Sequence, residues 1–388
     1  MMRTISKDEA ANAKRVLTIN VTRIGDTILA TPVGRAIARF SPNARVTSPG
    51  HPKRVEVVEN LSYLEKKASF TKRRAPYRGW ADKIRGPAYD WAFGWGNDQA
   101  LVRDALRKAR HVVAEQQTDT ALNEPLFCGV QVPPRNATHA AMWALGPSQA
   151  VGIPDDGYRL DYCVTPNETV SAKSRLRDAF AGDATTGPRI GMQVTGFATK
   201  RYRDRPIEHF IALIKRTLEG TPEARFFLYG AAEDKTRIAK IIEPFPHSAI
   251  NFEGELTLRE TVAIMNKTDA YIGVDTGPTH LFSALQKPMV VMYHPSRPSA
   301  MLKLLQHTAP FAIDHKLAGR TNDQNISIGE IGVDEVFTAQ SKIVNQVGYV
   351  TIGKRQIWCH QTPALSTPHH SHHSVAFTLN IQCKKKTW

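Results

Sequence analysis

The segment AYIGVDTGPTHLFSALQKPMVVMYH, residues 270–294, holds the pattern that decides the fold. Its apolar runs AYIGV and PMVVMY have the length and composition of buried strands, and the residues between them predict a helix. Two strands that are connected through a helix pair in parallel, and the helix covers one face of the sheet. This segment therefore predicts a parallel α/β sheet.

The same alternation of strand and helix extends over both halves of the chain. Upstream of residues 270–294, in the second half of the chain, predicted strands alternate with predicted helices. The strands are RIGMQV, ARFFLYG and AINFEG, and the helices are IEHFIALIKRTLEG, DKTRIAKIIEPF and LTLRETVAIMNKT. In the first half, the strands VLTINV, ARVTSPG and YDWAFGW accompany helices at about residues 32–40 and 100–109. Each series predicts a doubly wound domain, with helices on both faces of a parallel sheet.

A stretch with several prolines and glycines, residues 154–187, separates the two series, and we interpret it as the connection between domains. We therefore expect two Rossmann-like domains, over residues 14–165 and 186–345. The last residues, 351–388, have no helical or strand period and include the run HHSHH. We expect them to form an irregular tail whose histidines bind metals only adventitiously.

Length and composition restrict the class of protein. The chain has 388 residues, enough for two cores, and 41% hydrophobic with 22% charged residues is typical of a globular protein. No apolar run approaches the roughly 20 residues that cross a bilayer. The polar N-terminus leads directly into the first strand, so we expect a cytoplasmic protein without a secretory signal. The four cysteines form no CxxC pair, which predicts reduced thiols and neither disulfides nor a zinc site.

The formal net charge of +15 predicts an acidic partner. Nucleic acid, an anionic membrane surface and a phosphorylated small molecule all meet this requirement. The basic residues are spread over both halves of the chain, and no aromatic-studded RNA-binding motif accompanies them. Nucleic acid is therefore the least favoured partner, and we expect none.

The most specific candidate site is the turn VDTGPTHL, residues 274–281. A helix is predicted directly after the strand, so the amides of Thr276 and Gly277 lack partners within the helix and favour an anion. Gly277 also permits a ligand to approach the backbone closely. Asp275 can accept hydrogen bonds from sugar hydroxyls or cap the helix, and His280 can reach the ligand or pack in the core. Ligands of open α/β sheets bind at this edge, which favours the functional interpretation.

A second candidate is Asp26, in the segment TRIGDTILATP between the first strand and its helix. We expect this segment to be a loop with Asp26 at its apex, pointing into a cleft. A carboxylate there can serve as general base toward a hydroxyl nucleophile. It can equally be the N-cap of the following helix, and the local pattern leaves both interpretations open.

Two further segments place charge at predicted strand ends. The run KRYRDR, residues 200–205, follows the strand RIGMQV, and its four crowded cations suit a pyrophosphate or a solvated surface. These cations are Lys200, Arg201, Arg203 and Arg205. After the strand ARFFLYG, Glu233 lies near a helix start, where an acidic side chain holds ribose hydroxyls or interacts with the helix dipole.

Together these motifs resemble glycosyltransferase family 9, the ADP-heptose:lipopolysaccharide heptosyltransferases. The IGD-containing first loop, with a proline six residues on, and the run DTGPTHL carry the resemblance. The segments HAAMWALGPSQAVGIP and GELTLRETVAIMNKTDAYIGVDTG are similar to the family's sequence before the connection and before the donor site. The likeness covers about residues 16–344.

The resemblance implies a GT-B fold, in which two Rossmann-like domains face each other across a cleft. The acceptor is implied on the N-terminal side and the nucleotide sugar on the C-terminal side, with inverting transfer that needs no metal or other cofactor. The implied catalytic base is Asp26. The implied donor-binding residues are Thr199, Arg203, Glu233, Asp275, Thr276, Gly277 and His280. Arginines stand at positions 203 and 205, where the family has lysine and an aromatic residue, so Lys200 is a further candidate for the diphosphate cation.

The resemblance further implies ADP-heptose as the donor and a lipopolysaccharide-core acceptor, either phosphorylated Kdo–lipid A or a heptosyl extension of it. Positive charge would then hold the enzyme against the anionic cytoplasmic face of the inner membrane. Two other classes stay open. One is a non-catalytic nucleotide or polyanion binder of the same ancestry. The other is a nicotinamide-dependent oxidoreductase, which is disfavoured because no GxGxxG follows either leading strand.

Overall fold

Two six-stranded parallel sheets, one in each half of the chain, form the framework of the protein. The computed structural model describes residues 4–19, 23–51, 54–69, 87–131, 138–180, 187–196, 198–252, 254, 256–307, 310–346, 349–352 and 355–358. In both sheets, the first and fourth strands of that half lie side by side at the centre. The predicted pair of doubly wound α/β domains is therefore confirmed.

The first sheet has the strand order β3-β2-β1-β4-β5-β6. Its strands are β1 (Arg15–Ile19), β2 (Arg45–Gly50), β3 (Lys66–Ser69), β4 (Tyr89–Gly94), β5 (Ala109–Glu115) and β6 (Cys128–Val130). The helices of this half are α1 (Lys7–Asn12), α2 (Ile24–Leu29), α3 (Thr31–Phe40), α4 (Gln99–Lys108) and α5 (Ala140–Gln149).

The second sheet has the order β12-β11-β10-β7-β8-β9. Its strands are β7 (Arg189–Gln193), β8 (Arg225–Tyr229), β9 (Ala249–Asn251), β10 (Ala270–Val274), β11 (Met289–Tyr293) and β12 (Pro310–Asp314). The helices are α6 (Pro166–Ala179), α7 (Ile207–Gly220), α8 (Lys235–Ile242), α9 (Leu258–Met265), α10 (Gly277–Ala284), α11 (Ser299–Leu302) and α12 (Val333–Gln346). Over the described residues, none of the helices has the length and hydropathy to cross a membrane.

The segment with the clearest sequence pattern lies at the centre of the second sheet. Every residue of β10 and β11 is buried, as expected for strands that helices cover on both faces. β10 pairs in parallel with β11 on one side and with β7 on the other. The carboxyl ends of β7 and β10 are therefore adjacent, and the loops that follow them meet at one edge.

Three segments differ from their predicted structure. The expected loop before α3 forms the separate helix α2, because its apolar residues Ile28 and Leu29 are buried in the core. The predicted connection contains α6, which begins with a capping box formed by Thr165 and Glu168. The predicted tail begins with an antiparallel hairpin, β13 (Tyr349–Ile352) and β14 (Arg355–Trp358). Residues 359–388, with the histidine-rich run, lie outside the described residues.

The two domains contact each other through α2 and α10. The helices approach closely at two glycines: a Cβ atom on Gly277 would lie 3.3 Å from the amide nitrogen of Gly25. A Cβ atom on Gly25 would lie 3.3 Å from Cδ2 of His280. A side chain at either glycine would require its neighbour to shift by a few tenths of an ångström, so the two glycines permit the starts of α2 and α10 to lie close together.

Candidate active site

A cavity of about 780 Å³ lies between the two domains. Residues 23–26 and Leu29 of the first domain line one side, and the segments that follow β7, β8 and β10 line the other. In doubly wound sheets, ligands bind outside the carboxyl ends of the strands, at the point where the strand order reverses. Those points are β1/β4 and β7/β10 here. The volume is within the range of small-molecule sites, so this cavity is the candidate active site.

The cavity brings together eight of the nine predicted site residues. These are Asp26, Lys200, Arg203, Glu233, Asp275, Thr276, Gly277 and His280. The ninth, Thr199, belongs to the 3-10 segment Ala198–Arg203, and its side chain lies outside the described part of the structure. The roles of these residues stay predictions.

Asp275 joins two other predicted residues and does not cap α10. Its Oδ2 lies 3.1 Å from Nη1 of Arg203, and its Oδ1 lies 3.3 Å from Nε2 of His280. The N-cap position of α10 belongs to Thr276, so the interpretation of Asp275 as an N-cap is wrong. Arg203, Asp275 and His280 are all buried, and they form a polar chain along the wall of the cavity.

The start of α10 lines the cavity with Thr276 and Gly277, whose backbone amides belong to the free N-terminal end of the helix. No carbonyl of the same helix can accept hydrogen bonds from these amides, and the helix dipole favours an anion there. The structure adds a second reason for the glycine. We predicted that Gly277 permits close approach of a ligand, and it also permits the close approach of α2.

Two arginines of the predicted basic cluster are already paired with carboxylates. Arg201 lies 2.5 Å from Oδ1 of Asp234, and Arg203 forms the pair with Asp275. The side chain of Arg203 is only 9% exposed. Its positive charge is therefore largely compensated within the protein.

Arg205 does not belong to the edge of the sheet, and our expectation for it is wrong. It is 1% exposed, and its Nη1 lies 3.2 Å from Sδ of Met292 in β11. Burial lowers the pKa of Arg205 to about 10. Arg205 directly precedes Pro206, the N-cap residue of α7, and packs inside the domain, away from the cavity.

Lys200 differs from the other cations of the cluster. Among the described residues it is not paired with a carboxylate, as two of the arginines are, and it is not buried, as Arg205 is. It lines the cavity, and its pKa is lowered, chiefly by burial and then by the charges of Arg203, Arg23 and Arg297. A bound anion would relieve this repulsion. The geometry therefore favours Lys200 over Arg203 as the cation for a diphosphate.

Asp26 lies in the first turn of α2, and Arg23 occupies the N-cap position of that helix. The interpretation of Asp26 as an N-cap is therefore wrong, as is its placement at a loop apex. The residue is exposed and lines the cavity from the first domain, whereas Lys200 and α10 line it from the second. A carboxylate in this position can accept a proton from a hydroxyl group bound in the cavity.

Glu233 lies in the 3-10 turn Ala232–Asp234, is exposed and lines the cavity. Its neighbour Asp234, which we did not predict, is 3% exposed and accepts hydrogen bonds from Oγ1 of Thr195 (2.7 Å) and from the amide of Ala231 (2.9 Å). Asp234 thus fixes the loop after β8 against the loop after β7. The sequence shows two adjacent carboxylates and gives no signal for which one is exposed.

Gln193 is a further cavity residue that sequence reasoning missed. It is 5% exposed, its Nε2 donates to the carbonyl of Thr195 (3.0 Å), and its Oε1 is without a partner among the described residues. Nδ1 of His280 is buried and unpartnered in the same way. Buried polar atoms normally form hydrogen bonds, so these two atoms mark positions for polar groups of a ligand. The signal in the sequence was a polar residue that ends the apolar strand RIGMQ.

His139 connects the two domains beside the cavity. Its Nδ1 accepts from the amide of Ala141 (3.2 Å), and its Nε2 lies 2.6 Å from the carbonyl of Lys303 in the second domain. Both contacts require a neutral ring with the proton on Nε2. The pKa of His139 is lowered, chiefly by burial. Burial also lowers the pKa of His307, to about 4.

We expect the free energy of unfolding to fall as the pH decreases below about 6.5, the ordinary histidine pKa. A histidine with a lowered folded pKa binds a proton more readily in the unfolded chain, so acid favours unfolding. Above pH 6.5 the effect vanishes because the ring is neutral in both states. Urea unfolding of His139→Asn, which keeps an N-cap residue but does not titrate, should show a shallower acid slope than wild type. An identical slope would exclude His139 as a source of the acid sensitivity.

The arrangement defines a class of protein: two doubly wound domains with a cavity between their carboxyl edges form a GT-B fold. Three solved structures share it. A glycosyl transferase of family 9 from Veillonella parvula DSM 2008 is 16% identical, with a TM-score of 0.75 over 88% of this chain and 100% of that chain. The E. coli ADP-heptose lps heptosyltransferase II is 15% identical, with a TM-score of 0.68 over 86% and 99%. E. coli heptosyltransferase WaaC with ADP-2-deoxy-2-fluoro heptose is 14% identical, with a TM-score of 0.62 over 84% and 99%.

Part of the sequence matches a family model. Residues 157–314 match the model of glycosyltransferase family 9 (heptosyltransferase). The match confirms the resemblance and the predicted class of enzyme, a glycosyltransferase. It spans β7 to β12 and therefore all of the predicted donor-binding residues. Comparison with curated proteins gives no match.

Proposed function

We propose that the protein transfers a sugar from a nucleoside diphosphate sugar, expected to be ADP-heptose, to a hydroxyl group of a lipopolysaccharide-core acceptor. One observation carries the proposal. Asp26 of the first domain lines the same cavity as Lys200 and the N-terminus of α10 in the second domain. A proton acceptor and an anion site that face each other across one cavity suit group transfer from a phosphorylated donor.

The donor diphosphate is proposed to bind Lys200 and the amides of Thr276 and Gly277. Glu233 is proposed to accept hydrogen bonds from the ribose hydroxyls. The unpartnered atoms of Gln193 and His280 are available to polar groups of the donor. The choice of an ADP-sugar is supported by the relatives, because one of them was solved with ADP-2-deoxy-2-fluoro heptose.

The reaction is proposed to be a single displacement. Asp26 takes the proton of the acceptor hydroxyl as the oxygen attacks the anomeric carbon, on the side opposite the nucleotide. The new carbon–oxygen bond forms while the bond to the diphosphate breaks, and its electron pair leaves with the nucleotide. Positive charge develops on the sugar ring and negative charge on the leaving diphosphate. Attack opposite the leaving group inverts the anomeric centre.

The leaving group is proposed to be stabilised by Lys200 and by helix amides, without a metal ion or another cofactor. Fixed cations and amides supply positive charge at the position where negative charge develops, which is the task of a divalent ion in other transferases.

The acceptor is proposed to bind on the side of the first domain, where Arg23 and Arg54 line the cavity. An acidic lipopolysaccharide core complements these cations. The net charge of +15 would bring the protein to the anionic cytoplasmic face of the inner membrane, so we place it there as a peripheral protein. The sequence also has a run of three basic residues, KRR at 72–74, which lies outside the described residues.

A calorimetric titration with a panel of nucleotides in EDTA tests the donor assignment. ADP and ADP-heptose should bind saturably, and EDTA should not weaken them because the site needs no metal. UDP and GDP serve as matched diphosphates with different bases. Binding of UDP or GDP in preference to ADP, or binding only after addition of Mg²⁺, would contradict the assignment.

A further inference from the structure

The side chain of Arg259, the second residue of α9, makes contacts that extend far beyond its own helix. Its Nε and Nη2 donate to the carboxylate of Glu168, and Nη2 also donates to the carbonyl of Cys163 (2.7 Å). Its Nη1 donates to the carbonyls of Glu56 (3.0 Å) and Glu59 (3.4 Å). A guanidinium carries five N–H groups, so these five bonds use every one of them.

The acceptors belong to two separate parts of the chain, and neither is the second domain that carries Arg259. Glu56 and Glu59 lie in and just after the 3-10 turn Val55–Val58 of the first domain. Cys163 precedes α6, and Glu168 lies in the first turn of α6. The side chain of Arg259 is only 11% exposed. One partly buried cation therefore connects the first domain, the connection and the second domain.

The segments that Arg259 joins pack against elements on both sides of the cavity. Val57 and Val58 of the 3-10 turn pack in the same apolar cluster as Ile28 of α2, and α2 carries Asp26. On the other side, α9 lines the cavity through Leu258 and Thr261. Arg259 lies between the helix of the predicted base and a wall of the donor site.

We propose that Arg259 is a positioning residue that fixes the two domains at the relative orientation required for glycosyl transfer. The inference rests on the proposed function, because Asp26 and the donor site lie on different domains and must be brought to a fixed separation. A misplacement of about 1 Å between reacting groups can cost roughly 10²-fold in rate. The bidentate bond from Arg259 holds the pKa of Glu168 near 2, so this carboxylate stays charged at neutral pH.

The test uses the full chain with Arg259→Lys. Lysine keeps the charge and can still pair with Glu168, but its single ammonium group cannot span the carbonyls of Glu56, Glu59 and Cys163. We expect kcat to fall by roughly 10²-fold, with the affinity for ADP unchanged because the donor residues lie within the second domain. Small-angle X-ray scattering without substrates should show a broader distribution of interatomic distances than wild type.

Arg175→Lys is the matched control, because Arg175 pairs with Glu260 across the same two helices, α6 and α9, and has no polar contact with the described residues of the first domain. It should leave kcat and the scattering unchanged. If Arg259→Lys does not fold, Glu168→Gln replaces it in the test, because it weakens the bonds between Arg259 and residue 168. We again expect a lower kcat and a broader distribution of interatomic distances. Wild-type scattering and kcat in the variant would overturn the proposal, as would a lower melting temperature with unchanged kcat. If the wild-type protein transfers no sugar, the proposed function is refuted instead. The comparison of scattering between wild type and the variant then decides whether Arg259 fixes the orientation of the domains.

Discussion

Replacement of Asp26 by asparagine is expected to lower the rate of glycosyl transfer by roughly 10²–10⁴-fold, the usual contribution of a general base. Asparagine has the size of aspartate but cannot accept the proton of the acceptor hydroxyl. The change removes a charge from the first turn of α2, which costs about 0.3–1 kcal/mol, so the melting temperature should change little. The affinity for ADP should also be unchanged, because the proposed donor site belongs to the other domain. Initial rates at saturating substrates and a thermal melt measure both effects in one protein.

The matched control for this substitution is Asp8→Asn. Asp8 also lies in the first turn of a helix, α1, and does not line the cavity. It should show the same small change in melting temperature and full activity. Near-normal transfer by a well-folded Asp26→Asn enzyme would remove Asp26 from the mechanism.

Replacement of Lys200 by alanine is expected to raise the donor KM or lower kcat by roughly 10- to 150-fold. This range corresponds to the loss of one charged hydrogen bond, worth about 1.5–3 kcal/mol. Stability should be nearly unchanged, because Lys200 has no ion pair among the described residues and is repelled by neighbouring cations. Steady-state kinetics with varied donor and a thermal melt are the measurements. Lys240→Ala, which removes an exposed lysine from α8, is the control for loss of charge.

Arg203→Ala should behave differently from Lys200→Ala. Arg203 is buried with Asp275, and removal of one partner of a buried pair typically costs about 3–5 kcal/mol. A clear fall in melting temperature is expected for Arg203→Ala and not for Lys200→Ala. If both variants are equally stable and Lys200→Ala retains wild-type kinetics, the assignment of Lys200 to the diphosphate is wrong.

The sequence predicted the second domain best, because its elements combine a clear period with burial. The apolar runs of β10 and β11 are buried throughout, and α7 was predicted over its observed residues, Ile207–Gly220. The helices α2 and α6 were missed for local reasons. A glycine and a polar start suggested a loop at α2, and the capping box at the start of α6 lay in a stretch that prolines and glycines marked as a connection.

The location of the site could be predicted from the sequence, but the ion pairs and the burial of its charged residues could not. Residues at the carboxyl ends of neighbouring parallel strands share one edge of the sheet, regardless of the type of side chain. Lys200, Glu233 and Asp275 therefore line one cavity. The pair of Arg203 with Asp275 joins residues 72 positions apart. The burial of Arg205 likewise depends on packing against β11. No local pattern distinguishes a cation that is paired or buried from one that faces a ligand.

The most direct test of glycosyl transfer follows both products of the reaction in one mixture. Wild-type protein, ADP-heptose and a heptose-deficient lipopolysaccharide-core acceptor are incubated in EDTA, and released ADP is compared with glycosylated acceptor by mass spectrometry. We predict ADP and glycosylated acceptor in equal amounts, with the new linkage inverted relative to the donor. Unmodified acceptor in the presence of bound donor would contradict transfer, and ADP released without glycosylated acceptor would show hydrolysis in its place.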